Sequence, residues 1–308
     1  MVRTGRRNVL FKRLFNNQSS ITRQGIVLLA PYFILFFTFT ILPVLISIVF
    51  SFTSFNMLQI PQFEGWNNYT RLFWEDELFI IAIRNTIIFA VITGPVSYLA
   101  CFLFAWVINE LPRVPRALMT LIFYAPSISG NVYFIWQVIF SGDRYGYANA
   151  LLTALGLITG DPINFLLDEE YILPILIVVQ LWLSLGTGFL AFIAGLQTVD
   201  KTLYEAGAID GISNRWQELW HITLPSMKPQ LMFGAVMQIT ASFAMAELSI
   251  QLAGFPSVQY AGHTIVTHLI DFGWIRFEMG YASAIAVILF ITMVGVNKMV
   301  QAGLRKIG

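Results

Sequence analysis

Charged side chains are scarce in this chain. Asp, Glu, Lys and Arg make up 11% of its 308 residues, against 57% apolar ones. A soluble domain carries about 25% charge, and the mean hydropathy of +0.71 excludes an ordinary soluble fold as well. Cysteine is nearly absent. A single Cys101 rules out a disulfide framework and reads as a small buried side chain. The three histidines, His221, His263 and His268, are too scattered for a metal centre. Only His263 and His268 share a loop, and two ligands do not close a structural zinc site. No catalytic constellation is visible, and there is no G-x-x-x-x-G-K-[ST] loop to cradle a nucleotide phosphate. The net charge of +1 argues neither for nor against nucleic acid, and no such partner is expected.

What the chain has is long apolar runs. A spanning helix needs roughly 20 mainly apolar residues. Residues 26–52, 86–108, 117–140 and 172–199 each lack Asp, Glu, Lys and Arg and are long enough. Residues 230–254 qualify apart from Glu247, and residues 281–297 form a shorter sixth candidate. The expectation is an all-α integral membrane protein of six spans, with a basic segment over 1–25 and the membrane domain over 26–308. The first run is too long for a signal-peptide core and should stay as a helix.

Lysine and arginine collect on cytoplasmic flanks. Alternating the six spans places fourteen of the eighteen on one side, including Arg3, Arg6, Arg7, Lys12, Arg13 and Arg23. Only Arg71, Arg84, Arg144 and Arg276 fall on the other. Both termini and the polar loop at 200–228 are therefore expected in the cytoplasm. Several spans are interrupted, most clearly by Pro126-Ser127-Ile128-Ser129-Gly130-Asn131. Close helix packing explains such small polar residues, and so does a lined pathway.

The 200–228 loop is the most informative segment. Thr202-x-x-Glu205 has the spacing of a capping box that starts a short helix, and Gly211 suits a left-handed stop. Asn214-x-x-Gln217 suits a second start, and Pro225 should end or kink the chain before the fifth span. Trp216, Leu219 and Trp220 share one face at i, i+3, i+4 spacing. That face suits a membrane-interface anchor or a partner contact.

The stretch EAGAIDGISNRWQELWHITLP, Glu205 to Pro225, resembles the EAA loop of bacterial ABC-importer permeases. Glu205, Ala206, Gly211, Ile222, Leu224 and Pro225 match it; Gly207 replaces an alanine, and the gap from Gly211 to Ile222 is one residue longer. FEGWNNYTRLF at 63–73, Arg84-Asn85-Thr86, Pro126, Trp136, Gly146, Asn149 and GYASAIAVILF from Gly280 are similar to the maltose-type family too. The resemblance implies the first of two non-identical permeases of a carbohydrate importer in the bacterial inner membrane. Its partners would be a second permease, an ATPase dimer that binds the ATP and Mg, an extracytoplasmic solute-binding protein and the lipid bilayer. Glu205, Ala206, Gly207, Asp210 and Gly211 would then face the ATPase.

Polar groups inside spans are candidates for a sugar path: Asn131, Gln180, Trp182, Gln238, Ser242 and Glu247. Amides, a carboxylate and aromatic platforms suit hydroxyls and C–H faces. An ionisable group at membrane depth usually faces a cavity or partner, although Glu247 also lies close enough to the outer surface to be solvated. A same-fold permease for another solute is the nearest rival. A self-sufficient secondary transporter is the other, but no inverted repeat supports it.

Overall fold

The computed structural model describes residues 25–130 and 132–305. The basic segment expected over 1–25 thus lies almost wholly outside the described residues, as do Asn131 and Lys306. Among the described residues five helices are long and apolar enough to cross a membrane, and a sixth results when one bent pair is counted as a span. Among the described residues the only β pairing is an isolated antiparallel bridge between Thr53 and Phe63.

The helix α1 spans Gly25–Phe50, with no buried residue in its most apolar window. It widens into a π turn at Phe37–Ile41, just ahead of Pro43. Proline has no N–H to offer the preceding turn, so the ladder resets there. The central helix α2, Glu77–Asn109, runs for 33 residues with Pro95 inside it. Asp76 caps it by accepting from the Phe79 amide at 3.0 Å. The bent pair is α3, Arg113–Ile128, and α4, Val132–Ile139, set at 83° to each other. A short helix α5, Tyr147–Ala154, follows.

Two further spans are also interrupted. One is α6, Glu169–Leu183, then α7, Thr187–Thr198. The other, after the polar loop that carries α8, Lys201–Ile209, and α9, Arg215–Glu218, is α10, Lys228–Phe243, then α11, Ala246–Ala253. A break in hydrocarbon frees backbone groups that must be satisfied by protein. At the α6–α7 break the Ser184 carbonyl accepts from Cys101 Sγ at 3.2 Å and Gln238 Nε2 at 3.1 Å. Gly186 in this break has no side chain, and a Cβ there would meet Ser127 Cβ of α3 at 3.6 Å. Ser127 of α3 therefore stands against the joint of its neighbour.

The chain ends in α12, Ile265–Ile270, extended by a π turn Asp271–Ile275, and α13, Met279–Leu304. Three buried clusters stack along α2. One joins Phe102, Ala105 and Ile108 to Phe189, Phe192, Leu196, Leu219 and Leu231. A second joins Phe89 to Ile172, Leu176, Val179, Leu248 and Leu252. The third sits at the start of α2 with Phe79, Ala82, Phe272, Tyr281 and Ile285.

Candidate functional site

The polar loop folds as a helical hairpin against the end of α2. Helix α8 is capped by Asp200, whose carboxylate accepts from the Thr202 amide at 3.0 Å. The expected capping box at Thr202 and Glu205 is not formed. Asp200 stands two residues earlier and brings a full negative charge to the helix start, a stronger acceptor than a threonine hydroxyl. The Thr202 amide bond holds the Asp200 carboxyl below its usual range. Glu205 is left uncommitted by capping, and its side chain is exposed with Ala206 and Asp210.

Gly211 terminates α8 at φ +95°. The Ile212 amide bonds to the Gly207 carbonyl at 2.9 Å and the Gly211 amide to that of Ala208 at 3.3 Å, the paired bonds of a Schellman stop. Gly207 is buried because α8 packs against the returning chain. A Cβ there would lie 2.7 Å from Ile222 Cδ1, so the missing methyl accommodates the Ile222 side chain. Asn214 caps the next helix, as its spacing suggested, by accepting from the Gln217 amide at 2.9 Å. Gln217 reaches back to the Ser213 amide instead of the cap residue itself.

Helix α9 does not stop at Pro225. It continues through a π turn, Leu219–Thr223, into Leu224–Ser226, and the chain breaks at Met227. The wider turn absorbs the donor that proline lacks. Leu219, Ile222 and Thr223 are buried, and Tyr204 Oη meets Thr223 Oγ1 at 2.9 Å. Trp216 and Trp220 are exposed, and the Trp216 ring packs on Trp106 of α2 at 5.3 Å. Beside the hairpin lies a polar cavity of about 650 Å³ lined by Glu205, Arg116, Lys201, Tyr204 and Arg215.

Within the spans the candidate residues separate into two groups. Gln238 and Ser242 are buried, with their polar atoms engaged inside the subunit. Ser242 Oγ donates to the Gln238 carbonyl at 2.8 Å and accepts from Thr93 at 3.2 Å. They border an apolar cavity of about 580 Å³ between α2, α10 and α13. Glu247 is exposed, two residues beyond the α10–α11 break at Met245. Trp182 is exposed too, edge-on to Trp136 at 5.3 Å, and Gln180 is half-buried. Gln137 of α4 donates to the Gln251 carbonyl of α11, tying these two half-helices together. Asn131 lies outside the described residues.

The opposite end carries a polar network that spacing alone did not assemble. His268 Nε2 lies 3.1 Å from Asp76 Oδ2, and Tyr281 donates to the same oxygen at 2.7 Å. His268 Nδ1 meets His263 Nε2 at 3.0 Å, so one imidazole donates to the other. Burial, with His268 alongside, pushes His263 down to about 4. Burial would raise the Asp76 carboxyl, but the His268 and Tyr281 hydrogen bonds prevail and hold it well below the usual range. Asn85 secures the same loop, its amide within 3.2 Å of the carbonyls of Tyr260, Ala261 and His263.

Comparison with known proteins fits this architecture. The profile of the family described as binding-protein-dependent transport system inner membrane component matches residues 83–302. The chain is 30% identical over 271 residues to a probable ABC transporter permease protein, YesP, of Bacillus subtilis (strain 168), covering 87% of this chain and 85% of the relative. It is also 30% identical over 270 residues to the arabinooligosaccharides transport system permease protein AraP of the same organism, covering 87% and 84%. A chain in the crystal structure of a bacterial ABC transporter involved in the import of the acidic polysaccharide alginate superposes with a TM-score of 0.72. It is 25% identical, with 96% of this chain and 99% of that one covered. The chain therefore belongs to the binding-protein-dependent inner membrane components, the permease subunits of ABC transporters, and is a transport subunit rather than an enzyme.

Proposed function

We propose that this permease serves a bacterial importer of carbohydrate, in the oligosaccharide range, as the first of two non-identical permeases. It would sit in the cytoplasmic membrane with six spans and both termini inside. The observation that carries the reading is the hairpin of α8 and α9. It presents Glu205, Ala206, Asp210 and Gly211 to solvent at the end of the spans where the described basic residues gather. A rigid, solvent-facing hairpin at that end is the docking element an ATPase dimer needs, with ATP and Mg held by that partner. Closure of the ATPases would draw the hairpins together and switch the spans from inward- to outward-facing. Solute delivered by the extracytoplasmic binding protein would then pass between the permeases.

Glu247, Trp182 and Gln180 supply the accessible polar and aromatic groups for such a path, and AraP supports a sugar as the solute. Reconstitution of the complete complex tests the reading: an oligosaccharide-loaded binding protein should stimulate ATP hydrolysis and drive uptake. No stimulation by any sugar, with stimulation by another solute class, would reassign the substrate. Cysteines at Asn67 and Asp161, in a Cys101→Ala background, should label from outside, and those at Asn214 and Arg305 only after permeabilisation. Glu247→Gln should alter solute preference while assembly persists; unchanged uptake kinetics would remove it from the path.

A further inference from the structure

Two residues at the hairpin carry the wrong charge for their own helices. Glu110 is the C-cap of α2, where the macrodipole favours a cation, and Arg215 opens α9, where it favours an anion. They meet each other: Arg215 Nη2 lies 2.9 Å from Glu110 Oε2, and Nη1 lies 2.7 Å from Glu218 Oε2. The next residue along, Trp216, packs on Trp106, one turn before Glu110 on the same face of α2. Consecutive residues of the hairpin thus grip positions i and i+4 of the longest span. Leu219, one turn further, is buried in the cluster that joins α2, α7 and α10. Helix α3 starts only four residues after α2 ends, yet none of its residues is buried.

We infer that Arg215 and Trp216 are positioning residues that clasp the hairpin to α2, so that displacement of the hairpin moves α2, α7 and α10 as one block. The inference rests on the coupling role proposed above. Exposed ion pairs are weak as stability elements, so this clasp sets geometry and leaves folding to the buried cluster. The direction of force follows. Motion enters at the Trp106–Glu110 end of α2 and reaches the mid-span breaks through α7 and α10. Helix α3 has contacts of its own with α2, Arg116 donating to Asn109 Oδ1 at 3.3 Å and Phe123 against Phe104 at 5.1 Å, and is carried with that block.

The test uses the reconstituted complex. Glu110→Arg and Arg215→Glu should each raise the ATP hydrolysed per solute imported about five-fold, and the double exchange should restore the ratio. A Glu110→Cys, Arg215→Cys pair in a Cys101→Ser background should show the same poor ratio when unbridged. Bridging it with a short bifunctional thiol reagent should restore uptake, and reduction should reverse the gain. Uptake blocked by the bridge would mean that the hairpin slides along α2 during the cycle, which overturns the clasp. A wild-type ratio in both single variants would overturn it too. A wild-type complex that imports no solute counts against the proposed function alone. Spin labels at Val107 and Ser213 then judge the clasp: their separation should stay fixed between nucleotide-free and ATP-trapped states, and a change in it would refute the clasp.

Discussion

The two ends of the molecule are held together by opposite means. At the Glu205 end the hairpin meets α2 through the exposed Arg215–Glu110 pair, through Trp216 on half-buried Trp106, and through buried Leu219. At the other end buried Asn85, His263 and His268 and half-buried Asp76 are the fasteners, flanked by the partly exposed pairs Arg71–Glu278 and Arg276–Asp271. An exposed ion pair adds little to stability, whereas a buried polar group stripped of its partner costs about 1–3 kcal/mol. One end is fastened chiefly by buried polar bonds, the other by a surface pair and ring contact over an apolar cluster.

That contrast can be broken most severely at Glu205. Glu205→Lys should abolish stimulated uptake and weaken ATPase retention without loss of insertion or pairing with the second permease. The side chain bonds to no buried group, so the core has nothing to lose. Copurification with normal ATPase together with wild-type uptake would remove the docking role. The mirror experiment is Asn85→Ala, which strips one amide from three loop carbonyls. It should cost about 3 kcal/mol of stability, read as a lowered melting temperature of the detergent-solubilised protein and faster amide exchange over 254–264. An unchanged melting temperature would show that the buried end is not fastened as described.

Acid should act on one end selectively. His263 is held neutral in the fold near a value of 4, against 6.5 when free. Between those values the unfolded loop binds the extra proton, so stability falls as pH drops from about 6.5 to 4. Asp76 has its native value lowered, so its contribution is intact above 3.8 and fades only below that. Melting curves across pH 7 to 4 should decline for the wild type and flatten for His263→Asn. Equal slopes in the two proteins would mean that another group titrates.

Gly211→Ala should have the smallest effect. Its position has open space around the Cβ, so only the left-handed backbone is penalised, at about 1 kcal/mol. Uptake should fall modestly with no change in insertion. A severe loss would show that the partner packs against the glycine itself.

Much of this was legible in the residues. The spans follow from uninterrupted apolar length, the Gly211 stop from glycine's tolerance of positive φ, and the Asn214 cap from its short polar side chain before a helix. The Asp200 cap was missed because two good acceptors stand two residues apart and spacing alone does not rank them. The interruption after Pro126 was marked by proline and glycine. Those at Ser184–Gly186 and at Met245 lack proline, and the first is held by donors from Cys101 and Gln238 on other helices. The His268–Asp76 bond joins residues 192 apart in sequence. Such contacts arise from tertiary packing, which periodicity does not encode. The same limit hid the burial of Gln238 and Ser242, since a polar residue in a span has the same letter whether it faces a neighbour or a path.

The interrupted spans have a kinetic consequence. An unbroken helix in hydrocarbon bends only by rupturing ladder bonds, each worth several kcal/mol where water cannot replace it. At the α6–α7 joint the Ser184 carbonyl already has side-chain partners in Cys101 and Gln238. A bend at this joint would therefore not have to break a helix bond at that carbonyl. Swinging α7 against α6 should then carry a shallow temperature dependence, leaving the steep Arrhenius slope of turnover to the ATPase.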